Sequence, residues 1–166
     1  MKNVFQRAAT FGLMALLLPS PLYAAPRADR IIVHKQARTM ELMHAGQVIK
    51  TYKIALGGEP VGPKTRQGDH RTPEGTYVID SRNVHSQFHR SLHISYPNAN
   101  DSEHARRLGT PTGGDIYIRG LPNGYGFVGA AHRARDWTDG CIAVTDQEIE
   151  EIWRLVENGT PVDIRP

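Results

Sequence analysis

The sequence has little cysteine, no long hydrophobic run and no strong excess of charge, and each absence excludes a class of protein. One cysteine in 166 residues, Cys141, rules out a disulfide framework within the chain. The net charge is only +3, and no basic stripe with interleaved aromatic residues occurs, so no nucleic-acid partner is expected. The length fits one domain with a core of ordinary size.

The first 25 residues predict a secretory signal peptide. Lys2 and Arg7 give a positive start, and the apolar run from Phe11 to Leu18 is too short to favour a membrane anchor. The break and small residues of "PSPLYAA" place cleavage near Ala24 or Ala25, and an uncleaved anchor is the alternative. Residues 26–166 are therefore expected to form an exported domain with no stable membrane span after cleavage.

Glycine, proline and alternating apolar residues predict a mainly β domain. Strands are expected at "RIIVHK", "GTYVID", "SLHISY" and "GGDIYIRG", and a hairpin is expected to turn near Ala45-Gly46. The closing "TPVDIRP" is expected to be an edge strand. Residues 57–75 show no periodicity, and a loop of that length in a compact domain is usually functional or disordered.

Two segments predict short helices. "NDSEHARRLG" is expected to start at Asp101 or Ser102 and to end at Gly109. "TDQEIEEIWRLVENG" has the capping-box pattern of Thr145 with Glu148. Its apolar residues share one face and are expected in the core: Ile149, Ile152, Trp153 and Val156.

The lone thiol of Cys141 has three interpretations in an exported domain. It is a small buried hydrophobe, one half of an intermolecular disulfide, or a reactive nucleophile. A nucleophilic thiol must ionise, which requires a base or a positive field, and its attack on a carbonyl requires donors for the oxyanion. Gly140 permits close approach of the backbone, and the N–H groups around Asp139, Gly140 and Cys141 are candidate donors.

Four segments, taken in order, carry a family resemblance: "GDHRTPEGTY", "FHRSLHISYPN", "GGDIYIRGLPNG" and "RDWTDGCIAVTDQEIEEIW". Together they resemble the YkuD-type L,D-transpeptidase catalytic domain, in particular the branch of small exported enzymes that includes the YafK-like proteins. The resemblance covers Arg30 to Pro166. It implies a β-sandwich or barrel-like catalytic domain with one or two short helices, acting on peptidoglycan stem peptides. Cys141 matches the family nucleophile.

One position departs from the family pattern. The family has "I-H-G" in the strand before the cysteine loop, whereas this chain has Ile118-Arg119-Gly120. Arginine cannot take up and return a proton as the family histidine does, because its pKa exceeds about 12. Arg119 is predicted to stabilise a thiolate or to bind a substrate carboxylate beside Gly120. His132 is the nearest candidate base, with a substrate contact as its alternative role.

Other side chains are candidates for substrate binding. The resemblance places the loop with His70 and Arg71 beside the active site, where they are expected to meet the carboxylates of the stem peptide. His89 and His93 are expected in the cleft or half-buried in the sheet, and Trp137 is expected to wall the cysteine loop or to fill the core. The side chains of Asp136 and Asp139 are expected to brace that loop, with orientation of a base as their alternative role.

Neither a metal nor a cofactor is expected. His85, His89 and His93 recur every four residues, but the surrounding sequence predicts a strand, where that spacing does not converge on a metal ion. No H-E-x-x-H pattern occurs. Thiol acyl transfer needs no cofactor.

The sequence thus predicts a bacterial cysteine-dependent L,D-transpeptidase exported to the periplasm or cell envelope. Its acyl-enzyme on Cys141 would serve cross-linking, or the attachment or detachment of an envelope lipoprotein, and water as acceptor would make it a hydrolase. The alternative is a degenerate, catalytically weak peptidoglycan-binding domain in which Arg119 has replaced the histidine. A papain-like protease is disfavoured by the order of cysteine and histidine.

Overall fold

The computed structural model describes residues 26–166, so the predicted signal peptide lies outside the described residues. The domain is mainly β, as predicted, with short helices between the strands. Its eight strands are β1 Arg30–His34, β2 Thr39–His44, β3 Gln47–Lys53, β4 Gly75–Asn83, β5 Ser91–Ile94, β6 Ile116–Arg119, β7 Ile142–Ala143 and β8 Pro161–Arg165.

The strands form one curled mixed sheet in the order β3-β2-β1-β8-β4-β5-β6-β7. β4 joins its two halves, because Gly75 to Val78 pairs with β8 and the segment from Ile79 to Asn83 pairs with β5 across a bulge. The prediction that the last strand is an edge strand is wrong. β8 lies inside the sheet, parallel to β1 and antiparallel to β4, and its Val162 and Ile164 are buried.

Helix α1 spans Ala99–Arg107 and begins earlier than predicted. The side chain of Asn98 accepts hydrogen bonds from the N–H groups of Asn100 and Asp101, and the Asp101 carboxylate accepts one from the N–H of Asn98. This reciprocal cap places the helix start at Asn98, with Asp101 inside the first turn. Gly109, at φ +67°, follows the end of the helix as predicted.

Helix α2 spans Asp146–Leu155 and has the predicted capping box of Thr145 and Glu148. Ile149 and Ile152 are fully buried against the sheet. Trp153 was expected in the core but is only partly buried, at the margin of the core. The guanidinium groups of Arg82 and Arg90 cover its ring, with Cζ 3.9 and 4.9 Å from the centroid.

A 3₁₀ segment, Gly126–Ala134, connects β6 to the cysteine loop and is interrupted at Gly129. β7 follows that loop and extends the sheet at β6, so the sheet fixes the backbone on the C-terminal side of Cys141. Within residues 26–166, no helix is both long and apolar enough to cross a membrane.

Candidate active site

Cys141 lies half-buried where two cavities meet. The loop cavity, about 290 Å³, is lined by Lys64, Gln67, Gly68, His70, Gly113, Gly114, Asp115, Asp139 and Cys141. The strand cavity, about 310 Å³, is lined by Asn83, Ser86, Gln87, Phe88, Ser91, Asp115, Tyr117, Arg119, Asp139 and Cys141. The two cavities share Asp115, Asp139 and Cys141. The thiol is therefore accessible from two sides of one cleft.

The loop before Cys141 is held by a dense set of hydrogen bonds. The Thr138 hydroxyl donates to the carbonyl of Cys141 at 2.7 Å, and the N–H of Gly140 donates to the Thr138 oxygen at 3.1 Å. Asp136 braces the loop, as predicted, by accepting from the N–H of Leu56 and from the Arg38 guanidinium, both at 2.8 Å. The bond to Thr138 occupies the N–H of Gly140. Of the three N–H groups that are candidate oxyanion donors, those of Asp139 and Cys141 remain available for that role.

Gly140 allows two backbone segments to touch. Its φ is +124°, and a Cβ at this position would lie 2.6 Å from the carbonyl oxygen of Arg71. Any other side chain would therefore push the cysteine loop away from the loop 57–75. The sequence predicts a close backbone approach at Gly140, and the segment that it approaches is the backbone of Arg71.

Arg119, the residue that replaces the family histidine, projects a buried cation toward Cys141. Its guanidinium lies between two aromatic rings, with Cζ 3.7 Å from the centroid of Phe88 and 4.8 Å from that of Trp137. Burial lowers the pKa of Arg119, while the neighbouring Cys141 and Asp139 act to raise it. The side chain is 5% exposed and lines the strand cavity. It supplies a positive field at the thiol.

His132 lies in a separate cavity. This His132 cavity, about 540 Å³, is also lined by Leu121, Pro122, Tyr125, Val128, Ala131, Ala134, Arg135 and Trp137. The Trp137 indole N–H donates to Nδ1 of His132 at 3.4 Å. Burial first, and then the charge of Arg133, lower the pKa of His132. Its role as the base for Cys141 stays a prediction, since His132 lines neither of the two cavities that contain Cys141.

His70 is the imidazole that shares a cavity with Cys141. Its Nδ1 lies 2.7 Å from Oδ1 of Asp139, two residues before the nucleophile in the sequence. The histidine and the carboxylate come from the "GDHRTPEG" and "TDGC" segments, 69 residues apart. Sequence reasoning had placed both near the site without pairing them, because only the fold brings these loops together.

A buried lysine just after β1 ties down the loop 57–75. Lys35, 1% exposed, donates to the carbonyls of Gly62 and Thr72 at 2.6 and 2.9 Å and to Glu74 at 2.7 Å. Burial lowers the pKa of Lys35, and the contact with Glu74 opposes that shift. No sequence pattern indicates this role of Lys35, because a lysine next to a strand is ordinarily exposed.

Lys64 and Asp69 form a buried ion pair within this loop. Lys64 donates to Asp69 at 2.8 Å, and both side chains are nearly buried. Asp69 also accepts from the N–H groups of Thr65, Arg66 and Arg71. Burial alone would raise the pKa of Asp69, but the bonds from Lys64 and the backbone lower it to about 2. The loop is thereby given one conformation.

Several predicted substrate-binding residues line neither cavity that contains Cys141. The Arg71 guanidinium lies beside Gly62, where a Cβ would meet it at 3.5 Å, and near Lys35. Gly120 makes room for α2, because its Cβ would lie 2.7 Å from Oδ1 of Asp146. The structure therefore does not place these two residues at the cleft.

His93 and Trp137 stand behind the cleft. His93 bonds Asp80 at 2.5 Å and packs edge-on against Tyr117, whose ring lines the strand cavity. Trp137 covers one face of the Arg119 guanidinium and lines the His132 cavity, so it walls the cysteine loop from behind. Both support residues that line the strand cavity.

The three regularly spaced histidines are dispersed. His89 bonds Glu150 at 2.8 Å outside the cleft, which corrects its expected place. His93 lies on β5, and His85 lies in the exposed turn before it. Within the described part of the chain, no cluster of three or more histidine, cysteine, aspartate or glutamate side chains is arranged to hold a metal ion.

Sequence reasoning missed several side chains that line the cleft. Asp115 precedes β6 and lies in both cavities, and Tyr117 on β6 donates to it at 3.1 Å. Burial, followed by Asp115, raises the pKa of Tyr117. Phe88 reaches the cleft from the loop before β5. The "GGDIYIRG" segment does indicate Asp115 and Tyr117. Alternate residues of a strand face the same side, so these two share a side with Arg119.

Comparisons with known proteins agree on one family. The model of the YkuD family, the L,D-transpeptidase catalytic domain, matches residues 28–164. A curated Escherichia coli K12 protein, "Putative L,D-transpeptidase YafK", is 30% identical over 147 residues, which cover 84% of this chain and 49% of the relative. The chain thus spans about half the length of this relative.

Solved structures share the fold at lower identity. The crystal structure of the helical cell shape determining protein Pgp2 from Campylobacter jejuni aligns with a TM-score of 0.62 and 22% identity, covering 86% of this chain and 49% of the other. L,D-transpeptidase 1 of Mycobacterium tuberculosis aligns with a TM-score of 0.52 and 15% identity, covering 84% and 62%.

Proposed function

Because the chain belongs to the YkuD family of L,D-transpeptidase catalytic domains, we propose that it is an exported cysteine acyltransferase acting on peptidoglycan stem peptides. Cys141 is the nucleophile. The observation that carries the proposal is the placement of its half-buried thiol where two cavities meet, beside the buried cation of Arg119. A merely structural cysteine would be enclosed by the core.

The first chemical step forms the acyl-enzyme. The Cys141 thiolate attacks the carbonyl carbon of an amide between an L- and a D-centre, and a C–S bond forms while the C–N bond breaks. The leaving nitrogen takes the proton that the thiol gave up on ionisation, so charge and atoms balance. The N–H groups of Cys141 and Asp139 are positioned to be the donors to the oxyanion, because each belongs to the braced cysteine loop.

The second step transfers the acyl group. An amine or a water molecule attacks the thioester, loses a proton and releases the thiolate. The donor must reach the thiol and the acceptor must then reach the thioester carbon, and the loop and strand cavities offer two approaches to Cys141. An amine acceptor gives a cross-link or a lipoprotein attachment, whereas water gives hydrolysis, including release of an attached lipoprotein.

Arg119 favours a second candidate function. Without a histidine at this position the domain could retain the cleft and bind stem peptides with little turnover. Loss of a proton-transfer group typically lowers a rate by about 10² to 10⁴. The two functions share the binding step and differ in whether an acyl-enzyme forms and turns over.

The test is incubation of the purified protein with a synthetic stem tetrapeptide, with and without an amine acceptor, followed by mass spectrometry. We expect release of the terminal D-residue, a transient thioester adduct on Cys141, and acceptor-linked product. Cys141→Ala should abolish all three, and a carbapenem should block the wild-type thiol. Binding of the tetrapeptide without adduct or product would establish the binding function and overturn the enzymatic one.

A further inference from the structure

We propose that His70 is the proton acceptor for Cys141 in this chain, with the side chain of Asp139 as its positioning residue. The inference rests on the proposed function and deepens it by naming the base. In this sequence Arg119 occupies the place where the family has its histidine, and arginine does not exchange protons near neutral pH. Some other group must therefore take the thiol proton.

The position of His70 relative to the nucleophile is set by backbone contacts on both sides. A Cβ on Gly57 would lie 2.2 Å from the carbonyl oxygen of His70, and a Cβ on Gly140 would lie 2.6 Å from that of Arg71. The His70–Arg71 backbone is thus clamped between two glycines, one of which immediately precedes Cys141. His70 also has φ +52°, a conformation that is uncommon for a residue with a side chain and that occurs often at functional sites.

The hydrogen bond from His70 to Asp139 fixes the role of each ring nitrogen. With Nδ1–H donated to the carboxylate at 2.7 Å, Nε2 is the nitrogen left to accept a proton. The carboxylate then stabilises the imidazolium that forms, as in other nucleophile–base–carboxylate sites. The charged groups that line the loop cavity with His70 are Lys64, Asp115 and Asp139, while Arg119 faces Cys141 from the strand cavity.

The alternative imidazole is less suited to this role. His132 is 8% exposed and lies in a different cavity, and the Trp137 indole N–H occupies its Nδ1. The His70 side chain is 55% exposed, so solvent reaches its ring. The Asp139 side chain is 90% exposed, and an exposed pair of this kind adds little to stability. We therefore expect variants of this pair to retain the fold.

The proton follows a balanced route. Nε2 of His70 takes the proton of Cys141, giving a thiolate and an imidazolium. When the C–N bond of the substrate breaks, the imidazolium returns this proton to the leaving amine. In the second step Nε2 takes a proton from the incoming amine or water, and the released thiolate completes the cycle.

Two readouts on the same variants test the proposal. The first is the rate of Cys141 alkylation by iodoacetamide from pH 5 to pH 9, and the second is tetrapeptide turnover. For His70→Gln we expect alkylation at pH 6 to fall about tenfold or more, with less than about a twofold change at pH 9, and turnover to fall by about 10² or more. Asp139→Asn should show a smaller loss of the same pH dependence. Imidazole in the buffer should restore part of the turnover of His70→Ala.

The controls separate this proposal from the proposed function. His104→Gln changes an exposed histidine on α1 that lines no cavity of the site, and it should leave both readouts unchanged. If wild type turns over the peptide and His70→Gln matches it in rate and pH dependence, His70 is not the base although the enzyme stands. If the pH dependence of Cys141 alkylation is lost in His132→Gln and kept in His70→Gln, the proposal is overturned in favour of His132. If even wild type fails to turn over peptide, the proposed function falls, and the alkylation profile still decides whether His70 takes the proton.

Discussion

The guanidinium of Arg119 lies over the ring of Phe88, with Cζ 3.7 Å from the centroid. This stacking holds a positive charge in a nearly buried position beside Cys141. Under the proposed mechanism, this fixed charge stabilises the thiolate while His70 transfers the proton, so the two tasks fall to two side chains.

Replacement of Arg119 by alanine is expected to lower the rate of Cys141 alkylation at pH 7 by about tenfold. The physical reason is that a nearby cation in a partly desolvated site favours the thiolate, and a factor of ten corresponds to only about 1.4 kcal/mol. Arg119→Lys keeps the charge but loses the planar stacking, so it should fall between wild type and alanine. Equal alkylation rates in all three proteins would contradict this account.

Replacement of Arg119 by histidine tests whether the departure from the family pattern is a defect. We expect tetrapeptide turnover to fall, because the fixed charge is lost while proton transfer is already supplied from the other cavity. A large gain in turnover would show instead that the arginine impairs the enzyme. Circular dichroism of each variant establishes that the fold is retained.

Gly140→Ala is expected to destabilise the protein by more than about 1 kcal/mol and to reduce the reactivity of Cys141. The new Cβ would meet the Arg71 carbonyl oxygen at 2.6 Å at a backbone φ of +124°. The matched control is Gly58→Ala, where a Cβ meets nothing within 4 Å. Urea unfolding and thiol labelling of both variants measure the difference, and similar behaviour of the two would refute the close contact.

Asp69 is expected to make the stability of the protein depend on pH in the acid range. Its pKa of about 2 in the folded protein lies below the ordinary value of 3.8, so its contribution is complete above pH 4 and is lost as pH falls toward 2. The shift corresponds to roughly 2 kcal/mol. Asp69→Asn should therefore lower the free energy of unfolding at pH 7 by at least about this amount, and the difference should shrink on acidification.

The control for this measurement lies on the same loop. Glu59 is exposed, and Glu59→Gln should leave the free energy of unfolding within about 0.5 kcal/mol of wild type. A difference between wild type and Asp69→Asn that stayed constant from pH 7 to pH 2 would contradict the assignment.

His132 is expected to titrate below the ordinary histidine pKa of about 6.5, because burial and Arg133 disfavour its charged form. Following the ring protons by NMR between pH 4 and pH 8 measures this midpoint. His132→Gln identifies the resonance by its disappearance. A midpoint above 6.5 would show that the ring is solvated or paired with a carboxylate in solution.

Local sequence patterns predicted much of the fold. The β2–β3 hairpin, its turn at Ala45-Gly46 and the capping box of Thr145 with Glu148 each depend on neighbouring residues, and all are present. The family resemblance is confirmed as well. The interior position of β8 was not predictable from the segment itself, because its pairing with β1 and β4 depends on residues distant in sequence.

The site was only partly predictable for the same reason. The cysteine loop and the histidine-containing loop are visible in the sequence, but their juxtaposition is not. The pairing of His70 with Asp139 spans 69 positions, and Lys35 is buried only because the loop 57–75 folds over it. His132 was singled out for its nearness to Cys141 along the chain, whereas the structure places Trp137 against the ring. Separation in sequence is a poor guide to separation in a β domain.

The loop 57–75 is attached beside β1 by the ammonium group of Lys35, and the ammonium group of Lys64 ties it internally. Detaching it would expose little hydrocarbon to water, so that step should carry only a small heat-capacity change, unlike global unfolding. Amide hydrogen exchange would then report two events, a low-energy release of this segment and the rarer melting of the sheet. Release of the segment would open one wall of the cleft while Cys141 stays anchored beside β7.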